Sequence, residues 1–151
     1  MFKKTINYVD YNGEKRSGIY YFHLNKADIV ELQMGVKGGL MEKLQEAIRT
    51  DDAPFIMDTF RKIIRKSYGE KSIDGKSFVK FKIVDGARVE LADLFEQTPA
   101  YSELFVELLT DDNAADEFMR NVIPAEMAGQ LPADIKEALP EELAEMLPTQ
   151  N

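Results

Sequence analysis

Residues 98–124, TPAYSELFVELLTDDNAADEFMRNVIP, constrain the fold more than any other stretch. Thr98 is a predicted N-cap, because its hydroxyl can accept from a backbone N–H left unpaired at a helix start. Pro99 follows at the first helical position, where a missing N–H costs nothing. Tyr101, Leu104, Phe105 and Leu108 then recur at helical spacing and predict one apolar stripe. Thr110, Asp111 and Asp112 interrupt the pattern and supply a second cap. Ala115, Phe118, Met119 and Val122 form the next stripe, which Pro124 stops. The connection is short, so the two helices are expected to fold back on each other.

The remainder reads as α+β. Residues 3–24 are rich in β-formers (Ile6, Tyr8, Val9, Tyr11, then Ile19, Tyr20, Tyr21, Phe22, Leu24) and enclose Asn12-Gly13, a hairpin signal. A two-residue turn there, with positive φ at both residues, sets Ile6 opposite Ile19; a longer loop changes that register. Asn25 predicts a cap for a helix from Lys26 to about Met34, broken by Gly35 and by Gly38-Gly39. Leu40, Leu44, Ala47 and Ile48 predict a further helix. Asp51 and Asp52 open another, with Pro54 in its first turn and Phe55, Ile56, Phe60, Ile63 and Ile64 as its buried stripe. Gly69 is the expected C-cap. Asp74-Gly75 predicts a turn, residues 78–84 a strand that joins the sheet, and Asp85-Gly86 a second hairpin turn. A short helix containing Leu91, Leu94 and Phe95 leads into Thr98.

Residues 1–124 therefore read as one α+β domain: an N-terminal hairpin packed on helices. Residues 125–151 read as an acidic tail. It holds Glu126, Asp134, Glu137, Glu141, Glu142 and Glu145 against Lys136 alone, which is five of the eight net negative charges. Leu-Pro recurs at 131/132, 139/140 and 147/148. Leu131, Ile135 and Leu139 share a helical face, and Leu143 and Leu147 are also four apart. Such a tail either solvates the protein or docks its leucines on a partner.

The net charge of −8 argues against nucleic acid as main partner and against an anionic membrane surface. No apolar run reaches a membrane span, and no signal peptide is expected at the N-terminus. With no cysteine, disulfides and thiolate metal sites are excluded.

No catalytic constellation is present. His23, the one histidine, is placed in the second strand with no nucleophile elbow to serve. The run GVKGG at 35–39 lacks a Lys-Ser/Thr pair and does not follow a strand, so it is no phosphate loop. Asp111-Asp112-Asn113 lacks the alternating spacing and closing Glu of a calcium loop and reads as a cap. Arg61, Lys62, Arg65 and Lys66 read as an anion-binding patch or as a solvated helix end that suits the helix dipole. No metal or cofactor is expected, and no enzyme activity.

Two blocks carry a resemblance. One is Phe60-Arg61-Lys62-Ile63-Ile64-Arg65-Lys66-Ser67-Tyr68-Gly69-Glu70-Lys71-Ser72 with Asp74-Gly75 and Phe78-Val79-Lys80. The other is Phe95-Glu96-Gln97-Thr98, Ala100-Tyr101-Ser102-Glu103-Leu104-Phe105, Leu108, Thr110-Asp111, Ala114-Ala115, Phe118 and Ile123-Pro124. In this order they resemble the tail assembly chaperones of long, non-contractile-tailed bacteriophages. Residues 81–91 depart from the pattern and look like an inserted strand or hairpin; the Leu-Pro tail lies outside the matched part.

The resemblance implies a non-enzymatic protein of the host cytoplasm. It would bind the phage tape measure protein, promote assembly of the tail tube protein around it, and be absent from the mature virion. It further implies a homo-oligomer and a short form that precedes a frameshifted long form. The candidate partner contacts are Tyr101, Phe105, Phe118, Leu131, Ile135, Leu139 and Leu147, although most of the aromatic three read first as the chain's own core. The competing readings are a structural tail connector or completion protein kept in the particle, and an acidic regulatory or nucleic-acid-mimicking protein.

Overall fold

The structure is a computed structural model that describes residues 1–123. The chain is α+β: antiparallel strands pack against helices, with six helices among the described residues. The acidic tail, residues 125–151, lies outside the described residues.

β1 (Phe2–Val9) and β2 (Lys15–Phe22) form the expected hairpin, but its loop is one residue longer than a two-residue turn. The Gly13 N–H donates to the Asp10 carbonyl at 3.0 Å, and the Asp10 N–H donates to the Glu14 carbonyl at 2.9 Å. The Asp10 carboxylate also accepts from the N–H groups of Asn12 and Glu14. Gly13 alone takes positive φ in this loop, at 80°, the conformation that closes a three-residue hairpin loop. Ile6 therefore faces Gly18, and Thr5 faces Ile19. Phe2, Ile6 and Phe22 point inward, while Ile19 is left outside.

Local chemistry starts each of the next helices. Asn25 caps α1 (Lys26–Met34) through a reciprocal pair: its side chain accepts from the Asp28 N–H, and the Asp28 carboxylate accepts from the Asn25 N–H, both at 3.0 Å. Gly38 and Gly39, both at positive φ, turn the chain into α2 (Leu40–Arg49). Asp52 caps α3 (Ala53–Ser67), with Pro54 in the first turn. Ile56, Phe60, Ile63 and Ile64 on α3 are buried.

Beyond α3 the structure corrects the sequence reading. Gly69 is not a C-cap. Tyr68 already takes an extended conformation (φ −69°, ψ 138°), and the chain passes directly into β3 (Tyr68–Lys71). A Cβ on Gly69 would lie 2.7 Å from the Phe78 ring and 2.7 Å from the Val79 carbonyl oxygen, so glycine permits close strand packing there. β3 pairs with β2 on one side and with β4 (Phe78–Val79) on the other, giving the order β1-β2-β3-β4.

The expected strand over 78–84 is also broken. Lys80 turns inward at the break, and its ammonium donates to the carbonyls of His23, at 3.3 Å, and Lys66. The Lys66 carbonyl belongs to the last turn of α3, where the helix has no internal donor left to offer. β5 (Phe81–Val84) and β6 (Ala87–Glu90) then make a separate hairpin, with Asp85 at φ 50° and Gly86 at φ 79° in its turn. Only residues 78–79 of the predicted strand join the main sheet.

α4 (Leu91–Glu96) leads into the predicted helical hairpin, α5 (Pro99–Thr110) and α6 (Asp112–Val122). Thr98 accepts from the Tyr101 N–H, and Asp111 accepts from the N–H groups of Asn113 and Ala114. Both helices lean on β1, burying Leu104, Leu108, Phe118 and Met119 against Phe2, Phe22 and Leu24. Each fully buried side chain of this size contributes about 1.5–3 kcal/mol. The Leu24 N–H donates to the Val122 carbonyl at 3.1 Å and ties the end of α6 to the exit of β2.

Candidate functional site

Tyr101 and Phe105 lie four residues apart on α5, and their rings stack at 5.9 Å and 16°. Both are partly buried against the core, and each keeps a minor part of its surface in solvent. Behind them an aromatic chain runs into the core. Phe95 meets Tyr101 edge-on at 5.8 Å and stacks on Tyr68 at 4.3 Å; Tyr20 lies 5.1 Å from Phe95. Such contacts each add about 0.5–1.5 kcal/mol beyond the area they bury. The partly exposed pair is thus held on a rigid support. Burial, and then the Glu96 carboxylate, raise the pKa of Tyr101; burial also raises that of Tyr68. Burial, followed by a hydrogen bond with Tyr8, raises that of Tyr20.

Phe118 is not part of this exposed pair. It is 0% exposed and packs edge-on to Phe22 at 5.5 Å and to Phe2 at 5.7 Å. Of the seven candidate contacts, the structure brings Tyr101 and Phe105 together at the surface and puts Phe118 in the core. Leu131, Ile135, Leu139 and Leu147 lie outside the described residues.

The basic run at the end of α3 is neutralised rather than offered to an anion. Arg65 pairs with Asp93 and Glu96, Arg61 with Glu96 at 2.8 Å, Lys62 with Asp58 at 2.9 Å, and Lys66 with Glu31. Arg61 and Arg65 tie α3 to α4 and frame the aromatic surface on one side.

His23 directly follows β2 instead of lying within it. Its ring meets Phe78 edge-on at 6.0 Å, and its Nδ1 is buried without a hydrogen-bond partner. Burial, then the N-terminal ammonium and the Lys80 ammonium, lower its pKa below the ordinary 6.5. Burial likewise lowers that of Lys80, against the opposing pull of Asp28. The role of Lys80 was invisible in the sequence, where it continued a strand alternation.

A second apolar surface lies at α1 and α2. Leu24, Ile29, Leu32, Leu40, Ile63 and Ile123 surround a small cavity of about 20 Å³. It continues outward as a groove between α1 and α2, past Val30, Met34 and Met41. Among the described residues no group of His, Asp and Glu is placed to hold a metal ion, and no helix is long and apolar enough to cross a membrane.

Comparison with protein families gives one assignment. The family model described as phage tail assembly chaperone matches residues 1–149, and so takes in the Leu-Pro tail as well as the α+β body. Neither the curated proteins nor the solved structures give a match.

Proposed function

The chain belongs to the phage tail assembly chaperones, and from that premise we propose that it binds the phage tape measure protein and promotes assembly of the tail tube around it. It acts in the host cytoplasm, by contact rather than chemistry, and is left out of the finished virion. The supporting observation is the stacked Tyr101–Phe105 pair, partly exposed on a rigid aromatic base. A long client with unpaired apolar helical faces needs such a surface, since an amphipathic helix docks by side chains spaced three and four apart. Aromatic anchors lose little conformational entropy on binding. The acidic balance of the chain favours a basic client segment. Several copies acting along one client, together with a longer frameshifted form and the tail tube protein, complete the proposed assembly.

Co-expression tests the reading. The tape measure protein should gain solubility and co-purify with this chain, and Tyr101→Ala with Phe105→Ser should abolish both gains while leaving the circular dichroism spectrum intact. Mass spectrometry of purified virions should find no copies. Stoichiometric copies there would instead identify a connector or completion protein.

A further inference from the structure

We infer that an extended acidic segment of another polypeptide adds as a strand to the open side of β2, in the cleft between β2 and β3. β2 has eight residues, but β3 pairs with only two of them, Tyr21 and Phe22. Before Tyr21 the two strands part, and a cleft of about 470 Å³ opens, lined by residues 18–21 and 68–71. The phase of the ladder shows which backbone groups face it. The Asp10 N–H donates to the Glu14 carbonyl, so the even-numbered residues of β2 exchange hydrogen bonds with β1. Lys15, Ser17 and Ile19 turn their N–H and C=O groups the other way, as His23 does where its N–H donates to the Ser67 carbonyl at 2.8 Å. Among the described residues no strand pairs with Lys15, Ser17 or Ile19 on that side. An unpaired row of this kind is a template for one more extended backbone.

Charge specifies the occupant. Residues opposite each other across the ladders share a face, so Lys3, Lys15, Ile19, Tyr21, Lys71 and Phe78 lie on the side turned away from Phe2, Ile6 and Phe22. None of the four strands places an Asp or Glu on that face. Lys3, Lys15 and Lys71 are exposed, and among the described residues none of them makes an ion pair, unlike Lys4 and Arg16 beside them. A chain of net charge −8 thus carries one face whose charges are all positive and unanswered. Glu70 also lines the cleft, but it sits in the opposite row, level with Val79. Carboxylates at every second residue of the added strand therefore meet Lys15 and Lys71, while the side chains between them pass Tyr20 and Glu70. Ile19, 54% exposed, supplies apolar contact between the lysines. A nucleic acid offers no alternating N–H and C=O groups to continue the ladder, and the net charge of the chain repels it.

The full-length, isotope-labelled chain tests this with a short capped peptide that alternates glutamate and valine. On its addition the Ser17 amide signal should shift and its hydrogen exchange should slow, while Gly18 and Tyr20, already bonded to β1, exchange as before. High salt should weaken both effects. Lys15→Glu with Lys71→Glu should abolish them and leave the amide spectrum of the helices unchanged, since both side chains are exposed. An unchanged Ser17 signal in the parent chain would overturn the inference, and so would full protection of Ser17 in the double variant. An equal response to a peptide alternating lysine and valine would remove the role of charge and overturn it as well. Protection of Ser17 by a single-stranded oligonucleotide would do the same, by assigning the lysines to phosphate. The cleft does not involve Tyr101 or Phe105, and co-purification with the tape measure protein is a separate readout, so either proposal can fail alone.

Discussion

Replacing Phe118 with alanine should cost about 3–5 kcal/mol of folding stability, the range for removing a fully buried phenylalanine. The ring has no exposed surface and meets both Phe2 and Phe22 edge-on, so its loss leaves a void between α6 and the β1–β2 hairpin. Those neighbours are held by the strand register and by α5, which limits their collapse into the space. A domain of this size has about 5–15 kcal/mol in total, so the loss is a large fraction of its stability. With a urea dependence of about 2 kcal/mol per molar, the unfolding midpoint falls by about 2 M. The chain has no tryptophan, so far-UV circular dichroism is the suitable signal. Phe105→Ala is the control. That ring stacks on Tyr101 and is only partly buried, so less burial is lost and the midpoint falls by about 1 M, clearly less than for Phe118→Ala. Equal shifts for the two variants would refute the division of these aromatics into core and surface. A Phe118→Ala shift below about 0.5 M would refute the packing of α6 on the hairpin.

Gly69→Ala should destabilise the protein by about 1–3 kcal/mol, because the new methyl meets a backbone oxygen as well as the Phe78 ring; a thermal melt reads the loss. Arg65→Ala, which breaks the pairs to Asp93 and Glu96, should cost about 1 kcal/mol at low salt and less at 1 M salt, measured by urea unfolding at both. His23 has a lower pKa in the folded chain than in the unfolded one, so the unfolded state takes the proton first. Stability from this residue is complete above the unfolded value of 6.5 and falls as pH drops through it toward the folded value. Melting temperatures at pH 7.5 and 5.5 should therefore differ less in His23→Gln than in the parent chain.

The helix starts were legible because their chemistry is local. Asn25, Asp52, Thr98 and Asp111 each satisfy N–H groups within three residues, and each caps where the sequence placed it. The hairpin register was not, because Asp10 holds a longer loop open by side-chain bonds that no strand pattern encodes. Gly69 follows a basic helix end and so imitated a C-cap; its real requirement is set by Phe78 and Val79, remote in sequence. Lys80 was hidden the same way, since the carbonyls it reaches come from two other elements. At the candidate site, the spacing of Tyr101 and Phe105 sufficed to pair them. Phe118 sits on an equally good stripe, and its depth is decided by the β1–β2 hairpin that covers it.

The inward turn of Lys80 separates the β5–β6 hairpin from everything else the strands do. Its base is closed by the Leu91 N–H donating to the Lys80 carbonyl at 2.9 Å, and it pairs with no strand of the main sheet. Residues can thus be added or removed at Asp85-Gly86 without shifting the alignment of any other strand. A homologue can lengthen this arm freely, and an experimenter can splice an epitope or fluorescent reporter there while leaving the aromatic face and both ends of the chain untouched.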